Sequence, residues 1–416
     1  MKTRLITLLR WSEKYTKTDM VYLAKGGSWL LLSQGLLFIL SFALLWVFAN
    51  LMSQELYGQY RFLITVVGLL AITSLPGMNT AVIRSVARGT SGIIKRVIKT
   101  RILYGLLGSI AALIGASYYY YQGDSTLGNL FILIALFVPF YDSYAIFEAH
   151  LIGLKNYSSL TYTTVLRRLF IVTTTIAGIY FSQNIYFILA IYLVSTTISN
   201  YFTYLYTIKH FPLNVDTDND TIPYGKQLSI MQIVTTAANH LDKIALWYLA
   251  GPIPLAVYTI AIALPKEIAG AFSQIGILAL PKMSAQDNHN LQQSLLHKVG
   301  IFFIASLPLA ILYIFFAPTI FRLFLPQYMD AVFLSQIAAL IIMFTPSTLL
   351  YQYFSALMHT RVLFTMQFIT PIILIILLFL LIPIFGTLGA ISAVIVKQLI
   401  EFVFLIYFFI RINNTI

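Results

Sequence analysis

Long runs of apolar residues are the feature that most limits what this chain can fold into. They recur along all 416 positions, so that 59% of the residues are hydrophobic and only 10% are charged. Soluble domains are about 45–50% apolar and about a quarter charged, whereas a helix that crosses a bilayer needs about 20 apolar residues. The runs are too long for barrel strands, which alternate over about ten residues. The sequence therefore excludes a soluble multidomain enzyme and predicts an all-α polytopic membrane protein.

Apolar runs of about 20 residues mark twelve expected transmembrane helices. The first run follows a hydrophilic stretch that is too long and too charged for the start of a signal peptide, so we expect the first span to be retained. The expected spans cover residues 28–50, 58–78, 102–121, 128–149, 158–181, 185–208, 227–250, 254–280, 299–317, 331–352, 362–384 and 387–410.

The net charge of +12, from 26 Lys and Arg against 14 Asp and Glu, is unevenly divided among the connections. Connections expected on one face carry nineteen basic residues, and those expected on the other face carry only Arg322. Because Lys and Arg accumulate on the cytoplasmic side, both termini are predicted to be cytoplasmic. The positive charge thus indicates membrane topology, and we expect no nucleic-acid partner.

Two basic segments also contain interspersed apolar residues. Residues 1–27 mix Leu5 and Trp11 with Lys and Arg, a pattern typical of an amphipathic helix on the anionic inner leaflet of the membrane lipid. The connection after the second span has the same character and contains Arg84 and Arg88. Two interpretations stay open: basic anchors that set the topology, or a cytoplasmic mouth that gathers an anionic lipid head group.

A polar linker at residues 209–226 divides the twelve spans into two sets of six. It carries Asp216, Asp218 and Asp220, but nothing in the sequence would hold a metal cage around them, so we expect no metal site. The division predicts a basic segment, two six-helix lobes and a short cytoplasmic tail, at residues 1–27, 28–208, 227–410 and 411–416.

The two six-helix lobes are expected to form an internal repeat. Because six is even, both lobes would insert the same way round, related by a pseudo-two-fold axis along the membrane normal. A shift of 198 residues aligns Gly27 with Gly225 and Tyr60 with Tyr258 without a gap. Two such bundles permit alternating access, in which a central site opens first to one side and then to the other.

Charged residues inside the expected spans are the candidates for function. A charge in mid-bilayer costs several kcal/mol and normally faces a cavity or a partner. The basic ones are Arg61, Arg167, Arg168, Lys243, Lys266 and Lys397, and the acidic ones are Asp142, Glu148, Asp242, Glu267 and Glu401.

Some of these charges have candidate partners in the sequence. Asp142 and the pair Arg167 and Arg168 lie at similar depths in adjacent antiparallel spans, which predicts an ion pair between them, with a functional role as the alternative. Lys397 and Glu401 are four residues apart on one helix face and are expected to pair locally.

Lys243 and Lys266 are the strongest candidates for binding a transported molecule. Both lie in the spans that open the second half, and Lys266 lies near mid-bilayer. A cavity lined with unpaired cations, to which Arg61, Arg167, Arg168 and Lys397 would also contribute, would bind a phosphate or an acidic sugar. The acids offer a proton or sodium site coupled to movement, with Asp242 and Glu267 the leading candidates and Glu148 next.

The sequence lacks the motifs of several catalytic mechanisms. It has no cysteine, no G-x-x-x-x-G-K-[ST] loop for ATP and no H-E-x-x-H pair, and its six histidines are scattered. We therefore expect neither a cofactor nor enzymatic activity.

Short motifs in both halves resemble a known family. They are Leu56–Tyr60 (LYGQY), Gly77–Ala87 (GMNTAVIRSVA), Leu241–Ile244 (LDKI) and Val257–Ala261 (VYTIA). These stretches look like bacterial polysaccharide flippases of the multidrug/oligosaccharidyl-lipid/polysaccharide exporter superfamily, and the likeness covers essentially the whole chain. The relative that moves the peptidoglycan precursor has fourteen spans, so twelve spans argue against that member.

The resemblance implies transfer of undecaprenyl-diphosphate-linked oligosaccharide from the cytoplasmic to the outer leaflet of a bacterial inner membrane. It implies a cationic central cavity between two six-helix lobes, to which Lys243 and Lys266 correspond by type and region. The product would be a surface polymer such as O-antigen or capsule, and a polymerase and other assembly proteins would be partners. Two alternatives stay open: a cation-coupled multidrug exporter of the same superfamily, and a membrane polymerase or ligase.

Overall fold

The computed structural model describes residues 20–278, 288–357 and 359–413, which are helical almost throughout. Within these ranges the extended backbone pairs only in a single bridge between Ser91 and Thr217, so the prediction of an all-α chain is confirmed. The helices are α1 (Met20–Leu51), α2 (Gln54–Leu70), α3 (Met78–Ala87), α4 (Ile94–Tyr121), α5 (Ser125–Tyr141), α6 (Phe147–Gly153), α7 (Tyr157–Phe181), α8 (Ile185–His210), α9 (Thr221–Ala250), α10 (Pro252–Leu278), α11 (Asn288–Phe324), α12 (Val332–Ala338), α13 (Leu340–Met343), α14 (Ser347–Ala356) and α15 (Thr360–Asn413).

Side-chain caps and glycines determine where several of these helices begin and end. The side-chain oxygens of Ser53, Asp124, Asn156 and Asn184 each accept a backbone N–H from the first turn of α2, α5, α7 and α8, respectively. Such caps satisfy amide groups that have no partner inside the helix. After α9, Gly251 adopts a φ of 95°, the left-handed conformation that ends a helix most cheaply at glycine. The short connections predicted between spans follow from these signals.

Ten helical segments in the described part of the chain are long and apolar enough to cross a bilayer. They establish a multi-pass membrane protein, as the apolar runs predicted. The difference from the expected twelve arises at two places. Helix α9 covers the expected span 227–250 but is more polar than the ten, and α15 contains two expected spans, 362–384 and 387–410, in one element.

Helix α15 is two arms joined by a reversal at Gly386. Its 54 residues would make a straight helix about 81 Å long, more than twice the hydrocarbon thickness of a bilayer. Gly386 instead has φ 55° and ψ −127°, and a Cβ atom added at Gly389 would collide with the carbonyl group of Leu381. Such proximity between residues eight apart requires the chain to fold back, so the two arms correspond to the two expected spans.

The chain divides into two compact units, each with its own core. The first unit is Leu32–Ile244, and the second combines Met1–Leu31 with Ala245–Ile416, within the described ranges. The division falls inside α9, after the linker 209–226. The predicted amphipathic segment falls largely on residues 1–19, which lie outside the described residues. The first core includes Met78, Val82, Val97, Ile146, Phe147 and Leu151, and the second includes Leu350, Tyr353, Phe354, Met366, Leu405 and Phe409.

The polar linker is bound to the surface of the first unit. The Ser91 Oγ donates to Asn214 Oδ1 at 2.9 Å, and the Gly92 amide donates to the Asp216 carbonyl oxygen at 3.1 Å. Arg96 Nη1 donates to Asn219 Oδ1 at 3.0 Å. The contact is close enough to require glycine, because a Cβ at Gly92 would lie 2.6 Å from the Asn214 carbonyl oxygen. We call residues 211–220 the strap.

The fourth expected span of each half is interrupted. In the first half α5 ends at Tyr141, a short 3₁₀ turn covers Ser143–Ile146, and α6 follows. In the second half the chain passes through α12 and α13 and resumes as α14 after Pro346. Proline removes a backbone donor and disfavours helix at the residue before it, which explains the second interruption. The two breaks position the polar groups described next.

Candidate functional site

Asp142 at the first break pairs with Arg101, so the predicted pairing with Arg167 or Arg168 is wrong. The Asp142 Oδ2 accepts from Arg101 Nη2 at 2.5 Å. Arg101 Nε also donates to the Ser74 carbonyl oxygen at 3.0 Å, and its Nη1 donates to Asn79 Oδ1 at 3.1 Å. Depth in the bilayer alone did not distinguish Arg101 from Arg167 and Arg168 as the partner of Asp142. The expected span 102–121 leaves Arg101 in the connection before it, yet Arg101 lies inside α4 and is fully buried.

Arg167 pairs with Glu148, a candidate for ion coupling. Arg167 Nη2 donates to Glu148 Oε1 at 2.6 Å, and Arg167 Nη1 donates to Asn200 Oδ1 at 2.8 Å. The guanidinium also lies 5.5 Å from the ring centre of Phe147. These contacts join α6, α7 and α8, so both charges have a structural partner within the first unit.

Three other predicted cations lie together in the first unit. We define the Arg61 cluster as these three, Arg61, Arg168 and Lys243, together with His240 and Asp242. Arg61 and Arg168 both interact electrostatically with Tyr60, while Arg61 and Lys243 both interact with His240. The imidazole packs against α2, where a Cβ at Gly68 would lie 2.6 Å from His240 Cε1.

The Arg61 cluster carries more positive than negative charge. Lys243 Nζ lies 3.4 Å from Asp242 Oδ1, so that these two charges offset each other. Arg168 Nη2 donates to the Ser41 hydroxyl at 3.3 Å, and Arg61 Nε is buried without a hydrogen-bond partner. No carboxylate of the described residues lies within ion-pair distance of Arg61 or Arg168. Three basic side chains and one carboxylate give the cluster a formal charge of +2.

A cavity of about 270 Å³ lies within the second unit. Lys266 of α10 and Lys397, Gln398 and Glu401 of the second arm of α15 line it, together with Thr345 beside the break. We call it the Lys266 cavity. It brings two predicted cations together, because the interruption before α14 leaves space between the helices.

The polar lining of the Lys266 cavity is partly paired. Lys397 Nζ donates to Glu401 Oε2, which confirms the local pair predicted from their spacing. Gln398 Oε1 is buried and has no hydrogen-bond partner. Glu267 follows Lys266 in α10 but does not line the cavity and is exposed. Gln398 and Thr345 could not be assigned to this site from the sequence, since both are uncharged.

The remaining predicted residues lie on the surface of the first unit. Arg84 and Arg88 are exposed at the end of α3, and the Arg84 guanidinium lies 5.1 Å from the Tyr224 ring centre. Their role at a cytoplasmic mouth stays a prediction. Among the described residues there is no group of three or more His, Cys, Asp or Glu side chains that could hold a metal ion.

Solved structures with the same fold are membrane transporters. Lipid II flippase MurJ in an inward closed conformation is 15% identical, with 92% of this chain and 87% of that chain covered and a TM-score of 0.72. An inward-facing multidrug resistance MATE family transporter of the MOP superfamily is also 15% identical, with 91% of this chain and 94% of that chain covered and a TM-score of 0.63. At these identities the likeness shows the fold alone.

Sequence comparison identifies the family. No curated protein gives a significant match. The model of a family described as polysaccharide biosynthesis protein matches residues 23–286, which is more than half of the chain and contains all four of the short motifs. This chain therefore belongs to the polysaccharide biosynthesis protein family, as its motifs indicated.

Proposed function

We propose that this protein is a flippase for undecaprenyl-diphosphate-linked oligosaccharide, which it moves from the cytoplasmic to the outer leaflet of a bacterial inner membrane. Membership of the polysaccharide biosynthesis family and a fold shared with a lipid II flippase support this proposal. The units delivered would enter O-antigen, capsule or exopolysaccharide synthesis, with a polymerase as partner. No covalent chemistry is needed, so the protein would not be an enzyme.

The Arg61 cluster is the observation that carries the proposal. Cations without a counterion are costly inside an apolar membrane unit and normally face a cavity or a bound group. The formal charge of +2 suits a diphosphate, which carries about two or more negative charges at neutral pH. The planar guanidinium groups of Arg61 and Arg168 can each donate two hydrogen bonds to phosphate oxygens. Lys243, which is offset by Asp242, would contribute less than the two arginines.

The proposed movement is alternating access, in which the bound head group is exposed first to one leaflet and then to the other while the polyprenyl tail stays in lipid. Ion coupling through Asp242 or Glu267 stays a prediction. Glu148 is a weaker candidate than its sequence position suggested, because its carboxylate already accepts a hydrogen bond from Arg167.

Reconstitution in liposomes with a fluorescent polyprenyl-diphosphate oligosaccharide tests the proposal. We expect the protein to expose the inner-leaflet substrate to an external quencher, and Arg61→Gln to slow this transfer at least tenfold. Arg61→Lys, which retains the charge, should recover part of the rate. Lys209→Gln is the matched control, because it removes an exposed charge of the same unit outside the cluster. Equal transfer by Arg61→Gln and wild type would remove the cluster from the site.

A multidrug exporter is the second candidate, supported by the fold shared with MATE family transporters. Organic cations require carboxylates and aromatic faces, and the positive charge of the Arg61 cluster opposes them. Export of a fluorescent organic cation from the same liposomes, with no transfer of the lipid-linked sugar, would favour this candidate.

A further inference from the structure

Two aromatic residues of the first unit connect the Arg61 cluster to the surrounding helices. Tyr60 of α2 is fully buried and interacts electrostatically with both Arg61 and Arg168. Its ring meets the ring of Tyr192, on α8, edge to face, with 6.1 Å between the ring centres. Tyr192 is only half-buried. Through Tyr60, a half-buried phenol therefore adjoins the part of the site that holds the two arginines.

Tyr192 forms a hydrogen-bonded pair with Tyr141, the last residue of α5 before the first break. Their hydroxyl oxygens lie 3.0 Å apart. Each phenol carries one O–H group, and only one of the two protons can lie between the oxygens. Neither hydroxyl has a second hydrogen bond within the part of the chain that the structure describes. One O–H of the pair is thus available for an acceptor that a ligand supplies.

The interruption between α5 and α6 fixes the position of this pair. Asn200 Nδ2 donates to the Tyr141 carbonyl oxygen at 2.8 Å, and Asn200 Oδ1 accepts from Arg167 Nη1. The backbone of Tyr141 is therefore held between α5 and α8, and its hydroxyl is held against that of Tyr192. Tyr192 is the member of the pair whose ring contacts Tyr60, so its hydroxyl is the donor that we assign to the ligand.

A sugar joined to a diphosphate has the chemistry that this pair requires. If the arginines of the cluster hold the diphosphate, the first sugar lies in the adjoining part of the site, because it is bonded directly to a phosphate oxygen. Sugar oxygens accept hydrogen bonds, and the electron-rich face of an aromatic ring suits the C–H groups of a sugar ring. The pair itself is uncharged, and Asp142, beside Tyr141 in sequence, is paired with Arg101. An uncharged sugar therefore matches this part of the site.

We propose that Tyr192 binds the first sugar of the lipid-linked oligosaccharide, an uncharged sugar ring, by donating a hydrogen bond from its hydroxyl to a sugar oxygen. Tyr141 positions that hydroxyl by donating to its oxygen. The proposal rests on the flippase function stated above, with the diphosphate held at the Arg61 cluster. Recognition of the cargo would then include its first sugar as well as its charge.

Binding to the purified full-length protein in lipid nanodiscs tests the proposal. The probes are the glucosyl and the methyl ester of geranyl diphosphate, which carry the same charge and differ only in the sugar. Tyr192→Phe removes one hydroxyl and keeps the ring, so we expect binding of the glucosyl ester to weaken about three- to tenfold and binding of the methyl ester to stay unchanged. Tyr141→Phe should weaken glucosyl ester binding less, because the Tyr192 hydroxyl remains. Tyr180→Phe is the matched control, since it removes an exposed hydroxyl of the same unit.

Three results would overturn the proposal. The first is a wild-type protein that binds the two esters equally, which needs no variant to fold. The second is glucosyl ester binding by Tyr192→Phe as tight as that of the wild type. The third is an equal loss for both esters, because the hydroxyl would then act on the fold or on the head group. Binding of neither ester, with no transfer in the liposome assay, would instead refute the flippase and this proposal with it.

Discussion

Arg101→Met is expected to destabilise the first unit strongly, because it removes the only cation paired with Asp142 among the described residues. Arg101 is fully buried, and its guanidinium also donates to Ser74 and Asn79. Breaking a buried ion pair from one side costs about 3–5 kcal/mol, and each lost hydrogen bond about 0.5–1.5 kcal/mol. Because the Asp142 side chain is 37% exposed and solvent weakens the ion pair, we expect a total loss below the sum of these values, about 3–5 kcal/mol.

Thermal unfolding of the detergent-purified protein measures this loss. At about 2–4 °C per kcal/mol, the midpoint should fall by about 6–20 °C. The double variant Arg101→Met with Asp142→Leu should recover at least half, because an apolar pair replaces a buried ion pair at little cost. Arg167→Met, which removes a pair that is 20% and 36% exposed, is the control and should cost less. A double variant whose loss equals the sum of the two single losses would refute the reasoning.

The other predictions concern two glycines and the topology. Gly386→Ala should lower the unfolding midpoint, because a backbone with φ 55° and ψ −127° costs a residue with a Cβ about 1–3 kcal/mol. Gly300→Ala is the control, since a Cβ there would meet nothing within 4 Å. Equal midpoints for the two variants would contradict the prediction. Gly92→Ala should release the strap and speed its proteolysis in inverted vesicles, again relative to Gly300→Ala. The chain has no native cysteine, so single cysteines can report the topology. Val215→Cys, at a position 95% exposed, should react with an impermeant maleimide from the cytoplasmic side, and Tyr121→Cys, at a position 91% exposed, should react from the outer side. Reaction of both from the same side would refute the topology.

The helical spans could be predicted from the sequence because hydrophobic length is a local property. Ten of the described segments are long and apolar enough to span a bilayer, and the reversal at Gly386 separates two expected spans that α15 joins. The limits of the spans were harder to place. Helix α4 begins at Ile94, well before the expected 102, because basic residues in its first turns look the same as those of a connection. Arg101 was therefore assigned to a connection, although it is a buried partner for Asp142.

The partners of charged residues could be predicted only where they share one helix. Lys397 and Glu401 are four residues apart, and their pair follows from helix geometry. Arg167 and Glu148 lie on different helices, and their pairing depends on how α6 and α7 are rotated about their axes. That rotation is set by packing of the whole unit, which no local pattern contains. For the same reason the sequence assigned six cations to one cavity, whereas only Lys266 and Lys397 of the six line the Lys266 cavity.

The two halves use the same position of their repeat in different ways. The shift of 198 residues that relates the halves places Asn200 on Gln398 and the first break on the second. In the first half Asn200 Nδ2 donates to the Tyr141 carbonyl oxygen at 2.8 Å, at the end of α5, and Asn200 Oδ1 accepts from Arg167 Nη1. Both polar atoms of this amide therefore have protein partners. In the second half Gln398 Oε1 has none, and a cavity lies beside the break. An unpartnered buried polar atom costs about 1–3 kcal/mol, so the amide at this repeat position stabilises the break of the first half and not that of the second.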